Sequence, residues 1–231
     1  MDVIITGSSR GIGFELVKLF AQNNHRVLAI SRQTSTLENL KLRNELLYQN
    51  LIPLSLDLSS KAFEKLLLEK LDESIFHPSI LINNAGLLIS KPLNQLNEND
   101  FDQMFGVNIK APFLLIKHLL PYFSPSTHIV NISSMGGFQG SSKFPGLSLY
   151  SASKGALAIL TECLAEELKD LGIKSNALAL GATQTEMLEE AFPGYKAPLS
   201  AASMAEFIFN FAISGHQFFN GKVLPVSIST P

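Results

Sequence analysis

Short apolar runs rich in branched residues alternate with longer stretches of helical periodicity, and this alternation constrains the fold more than any other feature of the chain. The runs are Val3-Thr6, Arg26-Ile30, Ile52-Leu56, Ile80-Ile82, His128-Ile132, Lys174-Leu180 and Val223-Ile228. Helical patterns lie between them, at about 12–22, 36–47, 60–73, 100–122, 150–171 and 201–213. Such repetition implies right-handed crossovers onto a parallel sheet. The expected architecture is therefore α/β and doubly wound, a seven-stranded, largely parallel sheet flanked by helices on both faces. Hydrophobic residues make up 46% of the chain and charged residues 16%, the balance of a sheet buried on both faces. No linker, repeat or low-complexity tract interrupts the pattern, so a single domain over residues 1–231 is expected. The segments 136–149 and 184–200 break the alternation and read as loops at the carboxyl ends of strands, where a ligand crevice forms. Pro225 marks the last strand as an edge strand.

Charge and residue usage exclude several functions. The formal net charge is -2, and Lys and Arg are scattered, so no basic face is expected for nucleic acid. Cys163 is the only cysteine, which rules out an internal disulfide; the pattern Leu160, Cys163, Leu164 reads as a buried thiol. The five histidines are dispersed without ligand spacing, so no metal site is expected. The first strand begins at Asp2 with no basic leader or long apolar segment before it, which points to a cytoplasmic chain with no membrane partner.

Thr6-Gly7-Ser8-Ser9-Arg10-Gly11-Ile12-Gly13 follows the first strand directly and opens an amphipathic helix containing Leu16, Val17, Leu19 and Phe20. Glycine there permits a tight turn and close approach of a phosphate, and free N–H groups at a helix start favour an anionic pyrophosphate. The spacing G-x-x-x-G-x-G resembles the short-chain dehydrogenase/reductase family, whose members have a Rossmann fold. The resemblance covers nearly the whole chain. Asp57-Leu58 looks like that family's adenine contact, and Asn83-Asn84-Ala85-Gly86 is similar to its NNAG motif. It implies a cofactor set of Gly7, Ser9, Arg10, Gly11, Ile12, Gly13, Ser31, Arg32, Asp57, Leu58, Asn84, Ala85, Gly86, Gly181, Thr183 and Thr185, with Tyr150 and Lys154. Where a site selective for NAD carries an acidic residue after the second strand, this chain has Ser31-Arg32. With Arg10, this favours NADP(H) over NAD(H), because two guanidinium groups can pair with a 2′-phosphate.

Tyr150 and Lys154 open a helix at i,i+4 spacing and so share one face. A free tyrosine titrates near pH 10, and a neighbouring ammonium stabilises its phenolate, which makes Tyr150 the general acid/base. The family resemblance adds Ser134 as the group that binds the substrate oxygen, with Ser133 as runner-up, and Asn108 as the residue holding a water beside the lysine. Sixteen positions separate Ser134 from Tyr150, more than the family's usual spacing, so an insertion within Gln139-Leu147 is expected to bulge toward substrate. Leu180 stands where the family has proline, and the following loop is expected to start more loosely.

These residues imply an oxidoreductase that interconverts a carbonyl and an alcohol with NADP(H), a ketone or aldehyde reductase acting on a small molecule. A sensor that binds NADP(H) on the same fold is the alternative, since fold alone does not establish chemistry. The resemblance also implies a homodimer or homotetramer built from the helices at 100–122 and 150–171.

Overall fold

The computed structural model describes residues 1–60 and 62–228; residue 61 of the helix expected at 60–73 and the last three residues of the expected domain lie outside them. The strands are β1 (Asp2–Thr6), β2 (Arg26–Ser31), β3 (Leu51–Ser55), β4 (Pro78–Asn83), β5 (His128–Ser134), β6 (Lys174–Leu180), the two-residue strands β7 (Thr183–Gln184) and β8 (Leu199–Ser200), and β9 (Val223–Val226). All seven expected strands are present in one sheet of order β3-β2-β1-β4-β5-β6-β9, and every neighbouring pair is parallel. The order reverses between β1 and β4, which opens a crevice at their carboxyl ends.

The helices are α1 (Gly11–Gln22), α2 (Ser35–Arg43), α3 (Phe63–Ser74), α4 (Glu98–Phe105), α5 (Ala111–Leu119), α6 (Ser148–Glu167), α7 (Glu186–Ala191) and α8 (Ala201–Ser214). Strand side chains alternate between faces, and two separate cores result. Val3, Ile5, Val27, Ala29, Ile80, Ile82 and Val130 pack with Leu16 and Phe20 of α1 and Met204 and Ile208 of α8. Ile4, Leu28, Ile30, Leu81 and Ile129 face the other way, onto Leu67 and Leu71 of α3, Leu115 and Leu119 of α5 and Leu164 of α6. Burying each such side chain is worth about 1.5–3 kcal/mol. Burial on both faces is why the strands read as unbroken apolar runs. No helix among the described residues is long and apolar enough to cross a membrane.

Both edge strands carry a proline. Val27 N–H donates to Asn50 O and Leu56 N–H to Ser31 O, so the even-numbered residues of β3 face β2 and Pro53 faces away. Likewise Ala177 N–H and Gly181 N–H donate to the carbonyls of Lys222 and Val226, which turns Pro225 outward on β9. Neither proline removes a bond from the ladder.

Four expectations need correction. The helix expected at 100–122 starts earlier, at an Asn97–Asp100 capping box, and is interrupted by a π-helical turn at Gly106–Lys110. Ala111 N–H bonds Gly106 O five residues back, and Pro112 has no N–H to give the Asn108 carbonyl four residues back. The helix expected at 36–47 stops at Arg43, because Asn44 leaves helical geometry and its Oδ1 accepts from Leu47 N–H at 3.1 Å. Cys163 is exposed: the inward stripe of α6 runs through Leu157, Thr161 and Leu164, and Cys163 falls outside it. The start of the loop after β6 is not loosened, since Leu180 is in register with both Ser134 and Val226, and Gly181 N–H donates to Val226 O at 2.9 Å.

Candidate active site

The glycine-rich loop bridges β1 and α1 at the point where the strand order reverses, and other strands hold it. Gly7 and Gly11 have φ of 65° and 55°, a region that favours glycine. A Cβ on Gly7 would lie 2.7 Å from the Cα of Ala85, and one on Gly13 would collide with the carbonyl oxygen of Gly7. Asn84 explains this closeness: its Nδ2 donates to the carbonyls of Thr6 at 3.0 Å and Gly7 at 3.1 Å. Thr6 Oγ1 accepts in return from the N–H groups of Asn84 and Ala85. Ser8, which sequence reasoning missed, is fully buried and donates from Oγ to Ile30 O at 3.0 Å, tying the loop to β2.

The first turn of α1 has no side-chain cap and no acidic residue, so its N–H groups suit an external anion. Space that only glycine leaves, beside uncapped donors at a helix start, fits the phosphates of a dinucleotide. Ser9 and Ile12 are half-buried alongside. Gly13→Ala is expected to lower stability by about 1–3 kcal/mol, the usual cost of overpacking, and with it the affinity for dinucleotide. Thermal melting with and without cofactor checks this; an unchanged melting temperature would contradict the crowding just described.

The residues expected around the adenosine end are more dispersed. Ser31 donates from its hydroxyl to Gln33 O at 2.6 Å, so that donor is already engaged. Arg32 is exposed at the end of β2. Asp57 is exposed, and its Oδ1 accepts from Ser59 Oγ at 2.7 Å and Ser59 N–H at 2.9 Å. Those bonds, with a smaller contribution from Arg32, hold its carboxyl below the usual range. Leu58 is half-buried and packs on the core beneath α3. Arg10 is paired across the cleft with Glu190 of α7, Nη1 to Oε1 at 2.5 Å and Nη2 to Oε2 at 3.2 Å.

At the other end of the crevice, α6 brings Tyr150 and Lys154 over the ends of β4 and β5. Lys154 is 3% exposed and donates from Nζ to Ile132 O at 2.8 Å. Burial of its ammonium pulls its pKa down to about 8. Tyr150 lies with its ring centroid 6.0 Å from that Nζ. Burial raises its pKa, and a hydrogen bond from Ser134 opposes the rise. Ser133 faces the other way: its Oγ donates to Lys154 O at 2.8 Å and fixes the helix. Of the two serines, then, Ser134 is the one against the tyrosine.

Asn108 is fully buried in the π-helical turn. Its Oδ1 accepts from Leu87 N–H at 2.8 Å, and its Nδ2 donates to Leu87 O and Ser153 Oγ, both at 2.9 Å. Ser153 Oγ donates to Tyr150 O at 2.7 Å, so Asn108 is tied through one hydroxyl to the first turn of α6. No signal in the sequence singled out Ser153 beyond its place three residues after Tyr150. A Cβ on Gly86 would lie 3.4 Å from Lys154 Nζ and 3.6 Å from Asn108 Oδ1, which places all three residues together. Below them, Asn83 Nδ2 donates to Asn131 Oδ1 and Asn131 Nδ2 to Thr161 Oγ1, a buried chain from β4 through β5 to α6.

Two segments flank the cleft. The 138–147 stretch is pinned to the end of the β4 loop, where Lys91 N–H donates to Gly146 O at 3.1 Å. The 184–200 segment is not a plain loop: the parallel ladder of β7 and β8 closes its base, and α7 lies within it. Thr183 is buried in β7, and Thr185 caps α7, its Oγ1 accepting from Leu188 N–H at 3.3 Å. The side chain of Thr185 lies 3.4 Å from a Cβ placed on Gly11, so this segment reaches the glycine loop.

A family model described as short chain dehydrogenase matches residues 2–196. The chain belongs to the short chain dehydrogenase family. It is thus an oxidoreductase that acts on CH–OH or C=O groups with a nicotinamide dinucleotide. Relatives of this short chain dehydrogenase include the 3-oxoacyl-[acyl-carrier-protein] reductase FabG of Thermotoga maritima, 32% identical over 189 residues, 81% of this chain and 76% of the relative. The L-xylulose reductase of Caenorhabditis elegans is 31% identical over 188 residues, 80% of this chain and 72% of that enzyme. Among solved structures, ElxO with NADP bound superposes with a TM-score of 0.83 at 28% identity, covering 98% of this chain and 97% of ElxO. A 4-hydroxyisoleucine dehydrogenase complexed with NADH gives 0.84 at 26% identity, covering 97% and 96%.

Proposed function

We propose that this short chain dehydrogenase reduces a small ketone or aldehyde with NADPH, with Tyr150 as the proton donor. The supporting observation is the set Ser134, Tyr150, Lys154 and Asn108 at the carboxyl ends of β4 and β5, with a buried ammonium 6.0 Å from the tyrosine ring. When bound, the reduced nicotinamide supplies the hydride. Ser134 holds the carbonyl oxygen, Tyr150 gives that oxygen its proton, and the charge of Lys154 stabilises the phenolate left behind. Hydride on carbon and proton on oxygen make the alcohol; the reverse begins when Tyr150 takes the alcohol proton. Asn108 keeps Leu87 and the start of α6 in place around this centre.

The glycine loop with Ser9, Ile12, Asn84, Ala85 and Gly86 cradles the dinucleotide, Asp57 and Leu58 flank its adenine, and Gly181, Thr183 and Thr185 border the nicotinamide. The residues form a single working domain. Arg10 and Arg32 hold the 2′-phosphate and give the preference for NADP(H). A charge-assisted hydrogen bond is worth about 1.5–3 kcal/mol, so kcat/KM with NADPH should exceed that with NADH by at least about tenfold. Steady-state kinetics with both cofactors decides it; equal values or a preference for NADH would reject the assignment. Exposed apolar side chains on three neighbouring helices, Phe101, Phe113 and Ile159, support assembly as a homodimer or homotetramer. The cytoplasm is the compartment this reading assigns.

A further inference from the structure

Helix α7 sets two carboxylates, one turn apart, against the glycine loop. Glu190 grips the guanidinium of Arg10 with both oxygens, and Oε2 of Glu186 lies 3.4 Å from a Cβ placed on Gly11. The partners are 180 residues apart in the chain, and the contact joins α7 to the glycine loop. Both side chains are half-exposed or more, 49% for Arg10 and 62% for Glu190. Each carboxylate thus stands where the start of α1 attracts anions.

On the reading that Arg10 serves a 2′-phosphate, that guanidinium has two suitors. A guanidinium has five N–H donors, and Glu190 takes the end-on edge, Nη1 and Nη2, and neutralises the charge that would draw a phosphate. We propose that Glu190 competes with the 2′-phosphate of NADP(H) for Arg10, which makes Glu190 a determinant of cofactor selectivity and couples NADP(H) binding to release of α7. The phosphate carries close to two negative charges against one for the carboxylate, so the exchange runs toward cofactor. NAD(H) has no 2′-phosphate and leaves the Arg10–Glu190 pair in place. The freed length is the carboxyl-terminal half of α7 and the turn after it. The base of the segment stays fixed by the β7–β8 ladder and by Gln184 Oε1, which accepts from Ala197 N–H at 2.9 Å.

Equilibrium titration of NADPH and of NADH, with the chain carrying Glu190→Gln, Arg10→Gln or both, tests the exchange. An exposed pair is worth up to about 1 kcal/mol, so Glu190→Gln should tighten NADPH binding by about three- to fivefold and change NADH by less than about twofold. Arg10→Gln should weaken NADPH by about tenfold or more, and adding Glu190→Gln should then bring no gain. If Glu190→Gln leaves NADPH affinity unchanged, or tightens both cofactors equally, while Arg10→Gln weakens NADPH, the competition is wrong and the phosphate assignment stands. If Arg10→Gln leaves NADPH affinity unchanged, the phosphate assignment to Arg10 fails and takes the competition with it.

Discussion

Replacing Tyr150 with Phe should lower kcat for carbonyl reduction by about 10³-fold, within the 10²–10⁴-fold range of a positioned general acid. The dissociation constant of the cofactor should stay within about twofold. The substitution removes one hydroxyl and keeps the ring that packs above Lys154, so the first turn of α6 and its bonds through Ser153 to Asn108 remain. Ser134 loses a partner but keeps its contact with Gly136 N–H at 3.2 Å. Stopped-flow or steady-state rates beside a cofactor titration separate the two quantities. A kcat within tenfold of the parent would remove Tyr150 from the chemistry, and a parallel collapse of cofactor affinity would assign it a binding role instead.

Acid should destabilise the chain through His128, far from the cleft at the start of β5. The ring is 1% exposed, and its Nδ1 donates to Ala212 O at 2.9 Å while its Nε2 accepts from Asn176 Nδ2 at 3.1 Å. One neutral tautomer satisfies both bonds. Burial draws its pKa down to about 4, a shift that the Ala212 bond opposes and nearby His216 reinforces. The folded pKa lies below the unfolded value of about 6.5, so between these limits the unfolded chain binds more protons. This contribution is complete above about pH 6.5 and falls as the pH drops toward 4, by about 3 kcal/mol in all. For a chain this long that corresponds to a melting temperature lower by about 6–12 °C. His128→Gln can make the same two bonds without titrating, and its melting temperature should fall less steeply over that range. Parallel pH profiles for parent and variant would show that other groups carry the acid sensitivity.

The seven strands were legible because burial on both faces writes each as a run of apolar residues, with Pro225 marking one edge. The glycine loop was legible too, since its spacing states a backbone need that Gly7 and Gly13 now show as crowding against Ala85, Asn84 and each other, and Gly11 as a positive φ. Tyr150 and Lys154 announced themselves by one helical turn. The π-helical turn around Asn108 did not, because a five-residue change of pitch barely alters apolar periodicity. Cys163 was misplaced because its neighbour Leu164 lies in the inward stripe of α6 and Leu160 at its border, while Cys163 itself falls outside it. Ser8 and Ser153 carry no pattern, and Ser133 stood only as the runner-up to Ser134; their hydroxyls matter through bonds that only the folded backbone supplies. Glu190 was invisible for a simpler reason: its partner lies at the opposite end of the chain.

The outward-facing prolines of β3 and β9 limit how copies of this chain can meet. A sheet that continues from one molecule into the next needs an open row of donors along its border, and each border here has a gap in the middle of that row. Strand-to-strand growth, the geometry of fibrils and of dimers joined through a common sheet, is thereby disfavoured at both ends. Such borders favour association through helical surfaces over association through the sheet that carries the chemistry.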